Sequence, residues 1–197
     1  MFTGIVQAIG TIEGIENLGD SKKISINCAK FGTDFAIGES INVNGVCLTI
    51  ENNKNGLLDF TAVKETLEKS NLNSLDIQSK VNLERAATLS SLLGGHLVTG
   101  HIDKTCKVVN IEKSNNWTIL EIEIEDDDKK FLISKGSIAI NGVSLTLSQI
   151  KSKSFEVTLI PQTISETTLS ELNINEQVNI EFDLIGKYVL NKSSGVN

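Results

Sequence analysis

Both histidines of the chain fall in one short segment, Gly94-Gly95-His96-Leu97-Val98-Thr99-Gly100-His101-Ile102. Imidazole is the side chain whose unperturbed pKa suits proton transfer near neutrality. The His-x4-His spacing could also suggest a metal ion. No HExxH pattern accompanies it and no cysteine is close in sequence, so no metal site is read there. Cys47 follows an Asn-Gly pair in NGVCLT at 44–49, and Ser144 holds the same place in NGVSLT at 141–146. A thiol at Cys47 would act as a nucleophile only with a base beside it, and the local sequence supplies none. Taken singly, Cys47 reads as a buried inert thiol and Thr49 and Thr146 as ordinary strand residues. No Walker loop, GxGxxG, GxSxG or EF-hand pattern is present.

These candidates become informative because they come in pairs. Residues 41–84 and 138–181 align without a gap at an offset of 97, with 15 of 44 positions identical. Upstream the offset is 96, where FTGIV at 2–6 meets VTGHI at 98–102. The chain is therefore two copies of one domain. In this alignment His101 stands where the first copy has Ile5, and Ser144 where it has Cys47. A core position would stay apolar in both copies, so His101 is expected to face something polar. A surface or hydrogen-bonded core histidine is the plainer reading of the same residue.

The elements that must carry these residues read as strands. Ile24-Ser25-Ile26 and the run 119–124 alternate apolar with polar, the period of a strand with one wet face. Asn-Gly at 44–45 and 141–142 is the strongest short hairpin signal. Short strands with turn signals about every ten residues suggest a small barrel or sandwich per copy. Segments 65–75 and 165–172 could each supply a helical turn, with Thr66 or Ser165 as N-cap. The Gly94-Gly95 pair marks a linker near 87–97. Leu184, Ile185, Tyr188 and Val189 recur at helical spacing in 183–191. That helix either packs on its own barrel or presents an apolar stripe for oligomerisation.

The 197 residues carry a net charge of −7, with 40% hydrophobic and 22% charged residues. A globular chain without a basic footprint is a poor partner for nucleic acid or an anionic membrane. No apolar run reaches the roughly 20 residues a membrane helix needs, and MFTG lacks a signal peptide's basic start. Three widely spaced cysteines, Cys28, Cys47 and Cys106, suggest a reducing, cytoplasmic setting.

MFTGIV, NGVCLT, KETL at 64–67, VNLERA at 81–86, GGHLVTGHID at 94–103, NGVSLT and LIPQT at 159–163 together resemble the lumazine-dismutating α-chain family of riboflavin synthases. The resemblance implies an all-β fold with a short C-terminal helix: two tandem homologous six-stranded Greek-key β-barrels at 1–90 and 91–183, then an oligomerisation helix and tail at 184–197. It implies transfer of a four-carbon unit between two 6,7-dimethyl-8-ribityllumazine molecules, without metal or redox cofactor. Riboflavin and 5-amino-6-ribitylamino-2,4(1H,3H)-pyrimidinedione would result. The chain would form a homotrimer, with lumazine synthase as a further partner.

The family's first-barrel loop corresponds to Gly4, Ile5 and Val6, followed by Cys47, Leu48 and Thr49 and by Thr61, Ala62, Val63, Lys64, Glu65 and Thr66. Its second-barrel loop corresponds to Gly100, His101 and Ile102. Lys135 joins it, with Ser144, Leu145 and Thr146 and with Ile160, Pro161, Gln162, Thr163, Ile164 and Ser165. Ser40, Cys47, His101, Ser144 and Thr146 match polar positions near the reacting rings, with His101 as proton shuttle. Asn141, where related synthases can carry Asp, is given no proton because an amide is no base. The competing expectation is a non-catalytic lumazine- or flavin-binding protein.

Overall fold

The structure is a computed structural model that describes residues 1–28 and 31–193. The first copy runs β1 (Ala8–Asn17), β2 (Lys22–Asn27), β3 (Ser40–Val43), β4 (Val46–Thr49), β5 (Asn52–Lys54), β6 (Leu57–Ala62), α1 (Lys64–Lys69) and β7 (Lys80–Arg85). The second runs β8 (Lys104–Lys113), β9 (Thr118–Glu123), β10 (Ser137–Ile140), β11 (Val143–Ile150), β12 (Ser154–Leu159), α2 (Pro161–Glu166) and β13 (Gln177–Phe182). Helix α3 (Leu184–Ser193) follows. Residues 194–197 of the expected C-terminal unit lie outside the described residues.

Alternation builds each wall. In β9, Thr118, Leu120 and Ile122 are buried while Ile119 and Glu121 are partly exposed and Glu123 is exposed. The Asn-Gly pairs make two-residue turns, with φ of 49° and 90° at Asn44-Gly45 and 46° and 78° at Asn141-Gly142. They pin the registers Val43↔Val46 and Ile140↔Val143. The second copy closes in the order β10-β11-β12-β9-β8-β13. The first follows the same Greek-key order, β4-β3-β7-β1-β2-β6-β5, with its fourth strand divided at Ile50-Glu51. The aligned point in β11 is a bulge between Leu147 and Gln149. One copy bends there and the other breaks, so the second barrel is closed and the first is open between β4 and β5. Each encloses its own apolar cluster, around Phe60 and Ile41 in the first and Phe155 and Ile138 in the second.

The expected helical turns start earlier than the sequence suggested. Val63 and Ile160 precede α1 and α2, and neither caps with a side chain. Thr66 and Ser165 lie inside the helices. The true side-chain caps are Ser70 and Thr167, which accept from Leu72 N and Leu169 N at the following 3-10 turns.

Between the barrels lies a set of buried asparagines. Asn179 donates through Nδ2 to Asn44 O (2.7 Å) and accepts at Oδ1 from Asn71 N (2.6 Å). Its counterpart Asn82 donates to Asn141 O (2.9 Å) and accepts from Thr168 N (2.8 Å). Asn141 therefore sits in the join between barrels, 3% exposed. Asn179 is fully buried, so truncating it strands a carbonyl and an amide away from water. Asn179→Ala is expected to destabilise the chain by about 3 kcal/mol or more, from about 1–3 kcal/mol per stranded group, read as a lower denaturation midpoint in urea. A shift under about 1 kcal/mol would mean that water replaces the lost bonds.

Helix α3 follows β13 directly. Gly186 lies against Phe131, Lys187 pairs with Asp103 at 2.5 Å, and Phe131 stacks on Phe182. Ile185, Tyr188 and Val189 stay more than 60% exposed. The helix thus packs on its own barrel and still presents an apolar stripe.

Candidate functional site

The two Thr-Gly loops cross between the barrels. Phe2 and Val98 exchange backbone hydrogen bonds (2.7 and 3.1 Å) and form with Ala139 a small apolar cluster between the two cores. Each loop is rooted in its own copy by a buried carboxylate. Thr3 N, Thr3 Oγ1 and Gly4 N donate to Glu84 at 2.7, 2.6 and 3.0 Å. Thr99 N, Thr99 Oγ1 and Gly100 N donate to Glu181 at 2.6, 2.7 and 3.0 Å. Burial pushes the Glu84 carboxyl up, and its hydrogen bonds oppose this.

From these roots each loop leans on the other copy. Ser144 N donates to Gly4 O (2.8 Å) and Cys47 N to Gly100 O (2.9 Å). A Cβ at Gly4 would stand 2.6 Å from Ser144 Cβ, and one at Gly100 2.5 Å from Cys47 Cβ. Both glycines also have positive φ, 76° and 83°, so no other residue fits either place. Val6 packs on the second core and Ile102 on the first. This corrects the grouping expected from the sequence. Gly4, Ile5 and Val6 belong with Ser144, and Gly100, His101 and Ile102 belong with Cys47, because each loop crosses before it turns.

A cleft of about 240 Å³ results on the first barrel, lined by Val46, Cys47, Glu65, Thr66, Lys69, Ser70, Gly100, His101 and Ile102. His101 is exposed there, its amide held by Thr99 Oγ1 at 3.2 Å. Ile5, its counterpart, is 46% exposed, so the contrast between copies falls at a surface position in both. Lys69 pairs with Glu65 at 2.9 Å. Val46, Lys69 and Ser70 were not singled out in the sequence. Spacing of one helical turn from Thr66 would have pointed to Ser70.

On the second barrel Ser144 meets Gly4 of the crossing loop, and Gln162, Thr163 and Glu166 are the aligned counterparts of Glu65, Thr66 and Lys69. Ser144, Thr163, Ile164 and Val6 are half-buried, while Thr146, Ile160, Pro161, Gln162 and Ser165 are exposed. Leu48, Ala62 and Leu145 belong to the barrel cores, so their side chains face inward and do not line either cleft. Thr61 donates to Glu51 at 2.9 Å on the outer wall. Val63 and Lys64 are exposed at the start of α1, and Lys64 lies 3.9 Å from Glu68. Ser40 pairs with Thr49 in the β3–β4 register, and neither lines the first cleft. Lys135 is exposed in a turn, at φ 62°.

His96, considered from the sequence only as half of a rejected metal pair, stands beside Ser144. It is 8% exposed, with Nδ1 2.7 Å from Ser144 Oγ. Burial holds its pKa below the ordinary histidine value, with Asp183 opposing. The preceding Gly94-Gly95 was the available signal, since a Cβ at Gly95 would stand 2.2 Å from Thr3 O and only glycine lets the backbone pass. Cys28 and Cys106 are buried, which pushes their thiols up to about 12. Among the described residues no group of three or more His, Cys, Asp and Glu side chains could hold a metal ion, and no helix is long and apolar enough to cross a membrane.

Two like Greek-key barrels, each with a Thr-Gly loop laid against the other's wall, define a duplicated small-molecule-binding protein. The Lumazine binding domain family matches it twice, over residues 3–86 and 99–183. Riboflavin synthase of Bacillus subtilis (strain 168) is 41% identical over 189 residues, 96% of this chain and 88% of the relative. Riboflavin synthase of Mycobacterium tuberculosis (strain ATCC 25618 / H37Rv) is 42% identical over 201 residues, 99% of this chain and all of the relative. The crystal structure of LumP complexed with 6,7-dimethyl-8-(1'-D-ribityl) lumazine superposes with a TM-score of 0.83 at 29% identity, covering 92% of this chain and 98% of that one. The chain belongs to the lumazine-binding riboflavin synthase family.

Proposed function

We propose that this chain converts two molecules of 6,7-dimethyl-8-ribityllumazine into riboflavin and 5-amino-6-ribitylamino-2,4(1H,3H)-pyrimidinedione by moving a four-carbon unit from one to the other. The observation that carries this reading is the pair of like but chemically unequal walls, Cys47 facing Gly100-His101 and Ser144 facing Gly4-Ile5. A reaction between two copies of one substrate needs two similar sites with different polar groups. Orienting two rings is itself worth about 7–11 kcal/mol of barrel-held positioning. His101 moves protons at the first cleft, and Cys47, Ser144 and Thr146 polarise or relay. The remaining residues carried over from the family hold the ring and its ribityl chain, Leu48, Ala62 and Leu145 through their backbone alone.

The barrels at 1–90 and 91–183 and the helical tail at 184–197 are the units of this proposal. The working assembly is a homotrimer in the cytoplasm, joined through α3, with the first barrel of one chain facing the second of its neighbour. Lumazine synthase is a further partner. Mixing purified protein with the lumazine, without added metal or nucleotide, is expected to yield riboflavin. Lumazine that binds without conversion would instead support a non-catalytic lumazine- or flavin-binding protein.

A further inference from the structure

Ser144 has a buried imidazole behind it. His96 Nδ1 stands 2.7 Å from Ser144 Oγ, while Nε2 is buried with no hydrogen-bond partner. The backbone that carries the ring is tied down, because His96 N donates to Thr3 O at 3.1 Å. Gly95 is packed so closely that a Cβ there would stand 2.7 Å from Ser144 Cβ. Burial favours the neutral ring, which carries one hydrogen. Placed on Nε2, that hydrogen would be a stranded buried N–H, the rarer kind of unsatisfied group. Placed on Nδ1, it is used on Ser144. Cys47, at the matching place on the first barrel, lies against Gly100 with the exposed His101 at the cleft rim.

We propose that His96 is a positioning residue for Ser144: its Nδ1–H donates to Ser144 Oγ, so the serine's own hydroxyl hydrogen is turned outward. The ligand group it meets is a hydrogen-bond acceptor, a carbonyl oxygen or ring nitrogen of a heteroaromatic substrate. The inference rests on the reading of the second wall as a lumazine site. The two walls then differ in kind, since Ser144 offers an oriented O–H donor and Cys47 a weak thiol donor.

Two measurements test it. The chain has two histidines, so 15N spectra of the intact, histidine-labelled protein resolve each ring, and His96→Asn identifies the signals of His96. The expected result at neutral pH is a protonated Nδ1 and a bare Nε2. A ring protonated at Nε2, or at both nitrogens, would overturn the proposal without reference to any activity. In kinetics, His96→Ala is expected to lower kcat about tenfold, the equivalent of one lost hydrogen bond, with KM little changed. His96→Asn, whose amide N–H can take the place of Nδ1–H, should recover most of that loss. In a Ser144→Ala background, His96→Ala should cost nothing further. Losses that simply multiply would show His96 acting by another route. A wild-type protein that never forms riboflavin would sink the proposed function, while the spectra would still decide the tautomer.

Discussion

His101→Gln is expected to lower riboflavin formation by roughly 10²–10⁴, the range for a positioned acid–base group, while lumazine affinity stays near wild type. The structural reason for separating the two effects is the loop. Gly100 N is anchored by Glu181 and His101 N by Thr99 Oγ1, so the backbone shape does not depend on the imidazole. The side chain is exposed at the rim of the cleft that holds Cys47 and Thr66. Glutamine keeps a polar reach but cannot exchange a proton near neutrality. Single-turnover riboflavin formation and a fluorescence titration with lumazine separate the effects on one preparation. Turnover that stays unchanged would leave His101 as a rim contact and move the proton chemistry elsewhere.

The second large effect concerns assembly. Ile185→Asp with Val189→Asp places two charges on the exposed stripe of α3 and leaves untouched the contacts of Gly186 and Lys187 with the barrel. Burying an unpaired carboxylate in an interface costs several kcal/mol, enough to dissociate a trimer held by short helices. The variant is expected to sediment as a monomer, to keep its denaturation midpoint, and to bind lumazine without converting it. Each copy folds within the chain, whereas the proposed facing pair of clefts takes one cleft from each of two chains. A monomer with full activity would place both reacting lumazines on one chain.

Much of the fold is legible because it is written locally. Asn44-Gly45 and Asn141-Gly142 fix their hairpins through backbone conformations few other residues adopt, and the repeat offset carries one copy's strands onto the other's. The crossing of the Thr-Gly loops is not local. Nothing near Gly4 says that its carbonyl will meet Ser144 N rather than the wall of its own copy. Comparing copies picked out the two loops, and the family pattern grouped each with the wall of its own copy, which the crossing reverses. The same comparison singled out His101, which has an aligned apolar counterpart, over His96, whose part depends on Ser144, 48 residues away in the chain. The helix starts were misplaced because Thr66 and Ser165 have capping chemistry, but Val63 and Ile160 are where the strand ends. Pro161 suits the first turn of α2, where a missing N–H costs nothing.

The exchanged loops mean that the principal contacts across the join occur twice with their roles reversed. Gly4 meets Ser144 as Gly100 meets Cys47, and Asn82 meets Asn141 as Asn179 meets Asn44. That reciprocity is the mark of an isologous dimer interface, here carried inside one polypeptide. A single repeat bearing this loop and this asparagine would already be self-complementary and could pair with its own copy. Joining two such repeats in one chain keeps that interface and removes its dependence on concentration. It also frees position 47 and position 144 to differ, which two identical subunits could never do.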